Sequence, residues 1–329
     1  MSSTEGHLHL SDAADDHTNT NDPSPTNNGS VRIDPNDLVE IGNCMLCGSE
    51  ISSEMFRDGQ FRVVRCADCQ MVWVTPRLKP EVLPSVYNEG YWESTSPKDR
   101  GYADYRRAAP LYIKTFRKRY SLIEKFAGTK GRTLDIGCAA GFFLNVMKDK
   151  GWEVSGVELS PEIAAYARDT FDLEDIFVGT LDEAPHQEKS FDLVTMWDVI
   201  EHIAEPLPFL KRAASLLKDT GCLILETQNV DSRFAKRLGP RWHHYKHLEH
   251  LYHFNPKTIE RLLDQAGLEI VHLTPRFGGK HVSLGFIRER ATRVHGVMKY
   301  LLAPLAPLSG MSFYVNMRDE MVIVARKKK

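Results

Sequence analysis

The stretch Arg241-Trp242-His243-His244-Tyr245-Lys246-His247-Leu248-Glu249-His250-Leu251-Tyr252-His253 holds five of the chain's 13 histidines. An imidazole, with an ordinary pKa of about 6.5, is well suited to accept a proton at neutral pH. Helical winding here would put His243, His247 and His250 on one face, at spacings of four and three. His250 is then the candidate proton acceptor, with His247 and His243 as supporting or substrate-binding neighbours. Two other readings stay open: capping and packing around Asn255-Pro256, or a second metal site with a carboxylate such as Glu249 in register. His202, in Asp198-Val199-Ile200-Glu201-His202, reads as a residue that shapes a loop rather than one that takes a proton.

Cys44-Met-Leu-Cys47 and Cys66-Ala-Asp-Cys69 are two C-x-x-C knuckles with 18 residues between them. Two tight turns facing each other close four thiolates into a tetrahedron around Zn²⁺. Cys44, Cys47, Cys66 and Cys69 are therefore read as ligands of one structural zinc. Paired disulfides conflict with a reducing compartment, and a redox C-x-x-C lacks its surrounding βαβ pattern. Four filled positions leave none open for chemistry, so the ion would hold a fold. Cys138 and Cys222 fall on or beside apolar stretches and read as core residues.

A third constellation starts at Arg132-Thr-Leu-Asp-Ile-Gly-Cys-Ala-Ala-Gly-Phe-Phe-Leu, an apolar run entering a glycine turn. Such a turn presents backbone N–H groups to a ligand at a helix N-terminus. The dinucleotide fingerprint needs glycine at the third and sixth places of the turn, where Ala139 and Phe142 stand, and no Gly-Lys-Ser/Thr phosphate loop is present. Further on lie Glu158, then Gly179-Thr-Leu-Asp182, then Phe191-Asp-Leu-Val-Thr-Met-Trp197-Asp198.

These groups need a scaffold. From residue 132 the apolar runs Thr133–Gly137, Glu153–Glu158, Asp175–Val178, Phe191–Met196 and Cys222–Thr227 alternate with helical patterns near Phe142–Lys150, Pro161–Thr170 and Pro206–Leu217. A helix at Pro256–Ala266, a strand at Leu268–Thr274 and a last strand at Met321–Ala325 follow. The fold class is α/β: a doubly wound, mostly parallel seven-stranded sheet with a small N-terminal zinc ribbon. In such sheets ligands bind beyond the C-terminal strand ends, where the strand order switches. Asp135, Glu158, Asp182 and Asp198 come to that edge, with no base in their stretches. A pyrophosphate is poorly served there, whereas a ligand with a sulfonium and an ammonium is served well: S-adenosylmethionine.

The motifs LDIGCAAGFFL, VSGVELSPE, FDLVTMWDVIEHI and GCLILETQN resemble those of class I S-adenosylmethionine-dependent methyltransferases, closest in style to the ubiquinone-type and bacterial polysaccharide or secondary-metabolite groups. The resemblance covers about residues 131 to 275. The zinc knuckles followed by MVWVTPRL and VYNEGYWE resemble an N-terminal zinc module of some bacterial members. The cofactor-binding candidates are Asp135, Gly137, Gly141, Glu158, Leu159, Asp182 and Trp197. The resemblance implies that Gly137 lies under the methionine part, that Glu158 holds the ribose, and that Asp182 and Trp197 flank the adenine. Ala139 stands where many relatives have glycine.

The chain has 329 residues, 42% hydrophobic and 26% charged. Residues 1–36 are rich in Ser, Thr, Asn and Asp, with six acids against the single base Arg32, and read as a disordered tail. Without those six acids and one base, 38 acids and 41 bases remain of the chain's 44 and 42, close to neutral. Residues 37–75 form the zinc ribbon, 76–130 a helical lid or connector, and 131–329 the main domain with an insert at about 276–319. Tyr87, Tyr91, Trp92, Tyr102, Tyr105 and Tyr112 suit a lid. Lys114, Arg117, Lys118 and Arg119 read as a solvated helix face. Leu301–Leu308, apolar and broken by prolines, reads as an acceptor-pocket wall, with peripheral membrane contact the lesser reading. No run of about 18 apolar residues suggests a membrane span, and the N-terminus lacks a basic-then-apolar signal layout, so a cytoplasmic location is expected. The expected activity is methyl transfer to a small-molecule, sugar or lipid-linked acceptor, at a hydroxyl. The rivals are an RNA methyltransferase gripping RNA with the zinc module, disfavoured by the charge balance, and a non-enzymatic scaffold. The sequence leaves the oligomeric state open.

Overall fold

The computed structural model describes residues 33–87, 89–92, 105–288 and 297–329. The expected disordered tail therefore lies outside the described residues except for 33–36. There Pro35–Asp37 form a 3-10 turn in which the Asp34 carboxylate accepts the Asn36 N–H.

The N-terminal module is built on short strands: β1 (Leu38–Val39), β2 (Ser52–Asp58), β3 (Phe61–Cys66), β4 (Val72–Thr75) and β5 (Arg77–Leu78). β1 pairs antiparallel with β5, and β2, β3 and β4 form an antiparallel meander. β4 is buried along its whole length, which its Val-Trp-Val-Thr sequence suits. Two helices follow, α1 (Glu89–Trp92) and α2 (Ala109–Ala127).

The main sheet comprises β6 (Arg132–Ile136), β7 (Glu153–Glu158), β8 (Ile176–Val178), β9 (Phe191–Trp197) and β10 (Leu217–Gln228), joined by α3 (Phe142–Asp149), α4 (Pro161–Phe171) and α5 (Pro206–Leu216). After β10 come α6 (Arg233–Leu238), β11 (Tyr252–His253), α7 (Pro256–Gln265) and β12 (Leu268–Thr274). β13 (Lys280–Ser283) and β14 (Ser312–Val315) pair antiparallel, with α8 (Met298–Leu301) between them, and β15 (Glu320–Lys327) closes the chain. The seven-stranded order is β12-β15-β10-β9-β6-β7-β8. β15 runs antiparallel to β10 and β12, while β8, β7, β6, β9 and β10 are parallel neighbours. Strand order reverses between β6 and β9, which opens the crevice of a doubly wound sheet there.

Local sequence explains much of this. α7 starts at a reciprocal Asn255–Thr258 cap with Pro256 in its first turn, and buries Ile259, Leu262 and Leu263 at helical spacing. β10 reaches back to Leu217, past the expected Cys222, because Leu217 pairs with Phe191 ahead of a register shift. β11 pairs with β4, so the His-rich segment supplies the fourth strand of the N-terminal sheet. One expectation is corrected by packing: Arg119 is buried, its guanidinium 2.5 Å from Glu226 of β10, so it belongs to no solvated face. Leu301 is 66% exposed and nothing in Ala303–Leu308 is buried.

Candidate active site

The turn after β6 bends through left-handed backbone at Gly137, Ala139 and Gly141, with φ of 72°, 48° and 72°. A Cβ at Gly137 would stand 2.8 Å from Val199, and one at Gly141 would stand 2.5 Å from Leu173, so neither admits a side chain. Ala139 carries its methyl group in the conformation that glycine adopts without strain. The turn is clamped by Glu158 at the end of β7. Its Oε2 accepts the Ala139 N–H at 2.9 Å and its Oε1 the Ser160 N–H at 2.9 Å. Each oxygen retains a lone pair for a ligand hydroxyl. Burial raises the carboxyl of Glu158 despite those N–H donors. Burial also pushes Asp135 up to about 8, against the hydrogen bond from Thr195 (2.6 Å) and helped by nearby Glu158. A cationic ligand would favour the charged form of both acids.

Leu159 is exposed beside Glu158, and Asp182 is exposed in the turn after β8. These groups, with the turn, fit an uncharged nucleoside carrying a cationic tail. Trp197, expected to flank the adenine, has its ring 5.5 Å from Phe116 and 5.3 Å from Phe143, under the guanidinium of Arg119 at 4.7 Å. Helices α2 and α3 therefore hold it. The lid aromatics run as a chain of ring contacts from Tyr87 through Tyr91, Trp92 and Tyr105 to Tyr112 and Phe142. Trp92 also donates its indole N–H to Ser160. Tyr102 lies outside the described residues.

The histidines do not form a helix: residues 242–250 are turns and irregular chain. The expected shared face of His243, His247 and His250 is thus absent. His247 packs between Phe56 and Phe61 and sits 3.3 Å from Asp58, all in the β2–β3 hairpin. His243 is exposed, 3.9 Å from Asp319. His250 is buried and its ring lies 4.7 Å from that of His202, a residue the sequence reading had set aside. The Nδ1 of His250 is 2.7 Å from the His244 carbonyl. A carbonyl only accepts, so Nδ1 carries the proton and Nε2 keeps its lone pair. Burial pushes both His250 and His202 below the usual imidazole range, so each is neutral at pH 7. Tyr87 shares a 3.0 Å hydrogen bond with Nδ1 of His202. Glu201 completes the group, and its Oε1 is buried without a hydrogen-bond partner.

Beside this pair, Asp198, expected at the strand-end edge, meets partners that the sequence did not show. It follows β9 in left-handed backbone (φ 55°) and accepts from Lys280 at 2.8 Å, and Lys280 also meets Glu320 at 3.2 Å. Burial opposes the charge on Lys280, but Asp198, Glu320 and Glu226 outweigh it and hold the ammonium protonated. Buried polar atoms without a hydrogen-bond partner gather in the same residues: Trp197 Nε1, Asp198 Oδ1, Glu201 Oε1 and Glu226 Oε2. Such atoms are costly unless a polar ligand meets them. Lys280 could not be found from the sequence, since its partner Asp198 is 82 positions away.

In the N-terminal module the Sγ atoms of Cys44, Cys47, Cys66 and Cys69 all lie within 4.8 Å of one another. Cys44 and Cys69 are 3.4 Å apart, and Cys47 and Cys66 3.6 Å. Four sulfurs about 2.3 Å from a tetrahedral zinc are about 3.8 Å apart, so the cluster fits that ion. All four are free thiols.

The family model described as "Methyltransferase domain" matches residues 105–273. The ubiquinone biosynthesis O-methyltransferase of Xanthomonas campestris pv. campestris (strain B100) is 36% identical over 132 residues, 35% of this chain and 55% of that protein. Its counterpart in Xanthomonas euvesicatoria pv. vesicatoria (strain 85-10) is 33% identical over 156 residues, 42% of this chain and 63% of that protein. The chain thus spans little more than half the length of these curated relatives. Among solved structures, the 1,6-didemethyltoxoflavin-N1-methyltransferase of Burkholderia thailandensis is 16% identical, with a TM-score of 0.48 over 83% of this chain and 98% of that one.

Proposed function

Since this chain belongs to the methyltransferase-domain family, we propose that it transfers the methyl group of S-adenosylmethionine to a hydroxyl of a small-molecule, sugar or lipid-linked acceptor, with His250 as the proton acceptor. The cofactor supplies a methyl group already activated on sulfonium. What remains for the protein is to hold the acceptor oxygen in line and to remove its proton. The observation that carries this reading is the buried His250–His202 pair, with the basic Nε2 of His250 fixed by the bond from its Nδ1 to the His244 carbonyl. Glu158, the glycine turn, Leu159 and Asp182 form the cofactor side. The buried polar atoms of Trp197, Asp198, Glu201 and Glu226 suit a polar, hydroxyl-bearing acceptor. His247 and His243 act in this reading as packing and support.

We further propose that the four cysteines bind one Zn²⁺ whose task is to hold the β2–β3–β4 meander. That meander grips His247 and pairs with β11, so the ion would steady the segment that carries His250.

The experiment uses S-adenosylmethionine labelled in its methyl group, incubated with small-molecule, lipid and RNA fractions of the source cells. Label should enter a small-molecule or lipid fraction, and His250→Ala should slow that entry about 10²–10⁴-fold with little change in cofactor affinity. Label confined to RNA would replace the proposal with the RNA reading. Near-normal turnover of His250→Ala would remove His250 as the base.

A further inference from the structure

The 276–319 insert behaves unlike the rest of the surface. Val297, Tyr300, Leu301, Leu308, Met311 and Phe313 are all exposed, Tyr300 to 76%. Soluble surfaces rarely gather so many large apolar side chains in one region unless something covers them. The charge of this segment is equally distinct. Residues 276–319 hold seven basic residues (Arg276, Lys280, Arg288, Arg290, Arg293, Lys299 and Arg318) against the two acids Glu289 and Asp319, in a chain whose overall balance is −2, and of the seven Lys280 is already engaged by Asp198 and Glu320. Arg276 and Arg318 are exposed. The adjoining face of α2 extends the basic rim: Lys114 donates to Ser312 at 2.8 Å and the Lys118 ammonium lies 4.5 Å over the Tyr314 ring.

We propose that this apolar surface, with its arginine and lysine rim, seats the protein on an anionic phospholipid bilayer. The charge decides between occupants. A neutral apolar partner would not need the basic rim, and a second copy of this chain would bring like charge against it, whereas anionic headgroups attract it while the apolar side chains enter the acyl boundary. No helix among the described residues is long and apolar enough to cross a membrane, so the attachment is peripheral. The seat adjoins the acceptor side of the pocket. β13 begins at Lys280, which pairs with Asp198, and its neighbour His281 donates its backbone N–H to Thr115 of α2 at 2.9 Å. Docking through the insert would bring a lipid-borne acceptor to that edge of the sheet.

The test is co-sedimentation of the full chain, without cofactor, with vesicles of phosphatidylcholine alone or mixed with phosphatidylglycerol. The protein should pellet with the mixed vesicles, stay in solution with phosphatidylcholine alone, and be released by salt. Leu301→Asp combined with Leu308→Asp should abolish pelleting while the melting temperature stays put, since both side chains are exposed. Arg276→Gln or Arg318→Gln should each weaken partition about fivefold. Equal recovery with either vesicle, or unchanged pelleting of the double variant, overturns the proposal. So does a wild-type dimer that ignores vesicles and that the double variant dissolves. Because no methyl transfer is measured, a negative result here leaves the catalytic reading untouched, and the reverse also holds.

Discussion

Glu158 shows how one side chain carries two duties. It holds the Ala139 and Ser160 N–H groups, and it is the acid offered to a ligand diol. Replacement by alanine would release the turn as well as the ligand, so glutamine is the cleaner probe. Glu158→Gln is expected to weaken S-adenosylmethionine binding by about 1.5–3 kcal/mol, the span for a hydrogen bond to a charged group, with the far-ultraviolet spectrum unchanged. Calorimetric titration checks it, and an unaltered affinity would strip Glu158 of its ligand role. The histidines give a pH prediction with a definite sign. A histidine accepts a proton only in its neutral form, and burial lowers both His250 and His202 from 6.5. The acidic limb of the rate profile should therefore lie below pH 6.5, and turnover should be level from pH 6.5 to 8. A limb centred above 6.5 would point to another group as the base.

Among the elements, α2 is tied to the sheet by the buried Arg119–Glu226 pair, and Arg119 also bonds the Phe277 carbonyl at 3.0 Å. The pair joins helix, strand β10 and the start of the insert under Trp197. Removing one partner strands the other charge in a dry site, which costs about 3–5 kcal/mol, whereas removing both is far less damaging. Arg119→Met should accordingly lower the denaturant midpoint sharply, and Arg119→Met with Glu226→Leu should regain most of that loss. Equal losses for the single and double variants would deny the coupling. The helix itself was foreseeable as part of a connector, but its four bases looked alike in sequence. Only packing distinguishes Arg119, which turns inward, from Lys114, Arg117 and Lys118, which face out.

Among the described residues, the cysteine module and the main sheet share one buried core. A single buried cluster runs from Cys44, Leu46, Cys66 and Trp73 to Leu134, Ile136 and Leu225. Arg65 of β3 reaches Asp231 at 3.2 Å, and Gln265 of α7 donates to the Leu46 carbonyl at 3.1 Å. If zinc holds the knuckles, a strong chelator should lower the melting temperature of the whole protein in one transition, with hydrogen exchange rising in residues 242–253 along with 44–75. A separate early transition confined to 44–75 would contradict this shared core. Elemental analysis without zinc would remove the ion itself.

What is local in this protein was written in its sequence. The alternation of apolar strands with capped helices, the left-handed glycine turn and the C-x-x-C knuckles each depend on residues a few positions apart, so propensity and spacing suffice to reveal them. The acids at the strand ends were legible for the same reason, because strand length sets which edge they reach. The surroundings of the histidines were not. His202 and His250 meet because the chain from β10 to β11 folds back against the loop after β9, with Leu251 donating its N–H to the Glu201 carbonyl at 2.9 Å. His247 turns to Asp58, and Lys280 finds Asp198, through contacts between distant segments. A helical spacing carried no information in a segment where pairing of β11 with β4 overrode helix formation, and a basic or apolar run does not say which of its side chains will find a buried partner. Those outcomes depend on burial and on pairing partners, which exist only once the chain has packed.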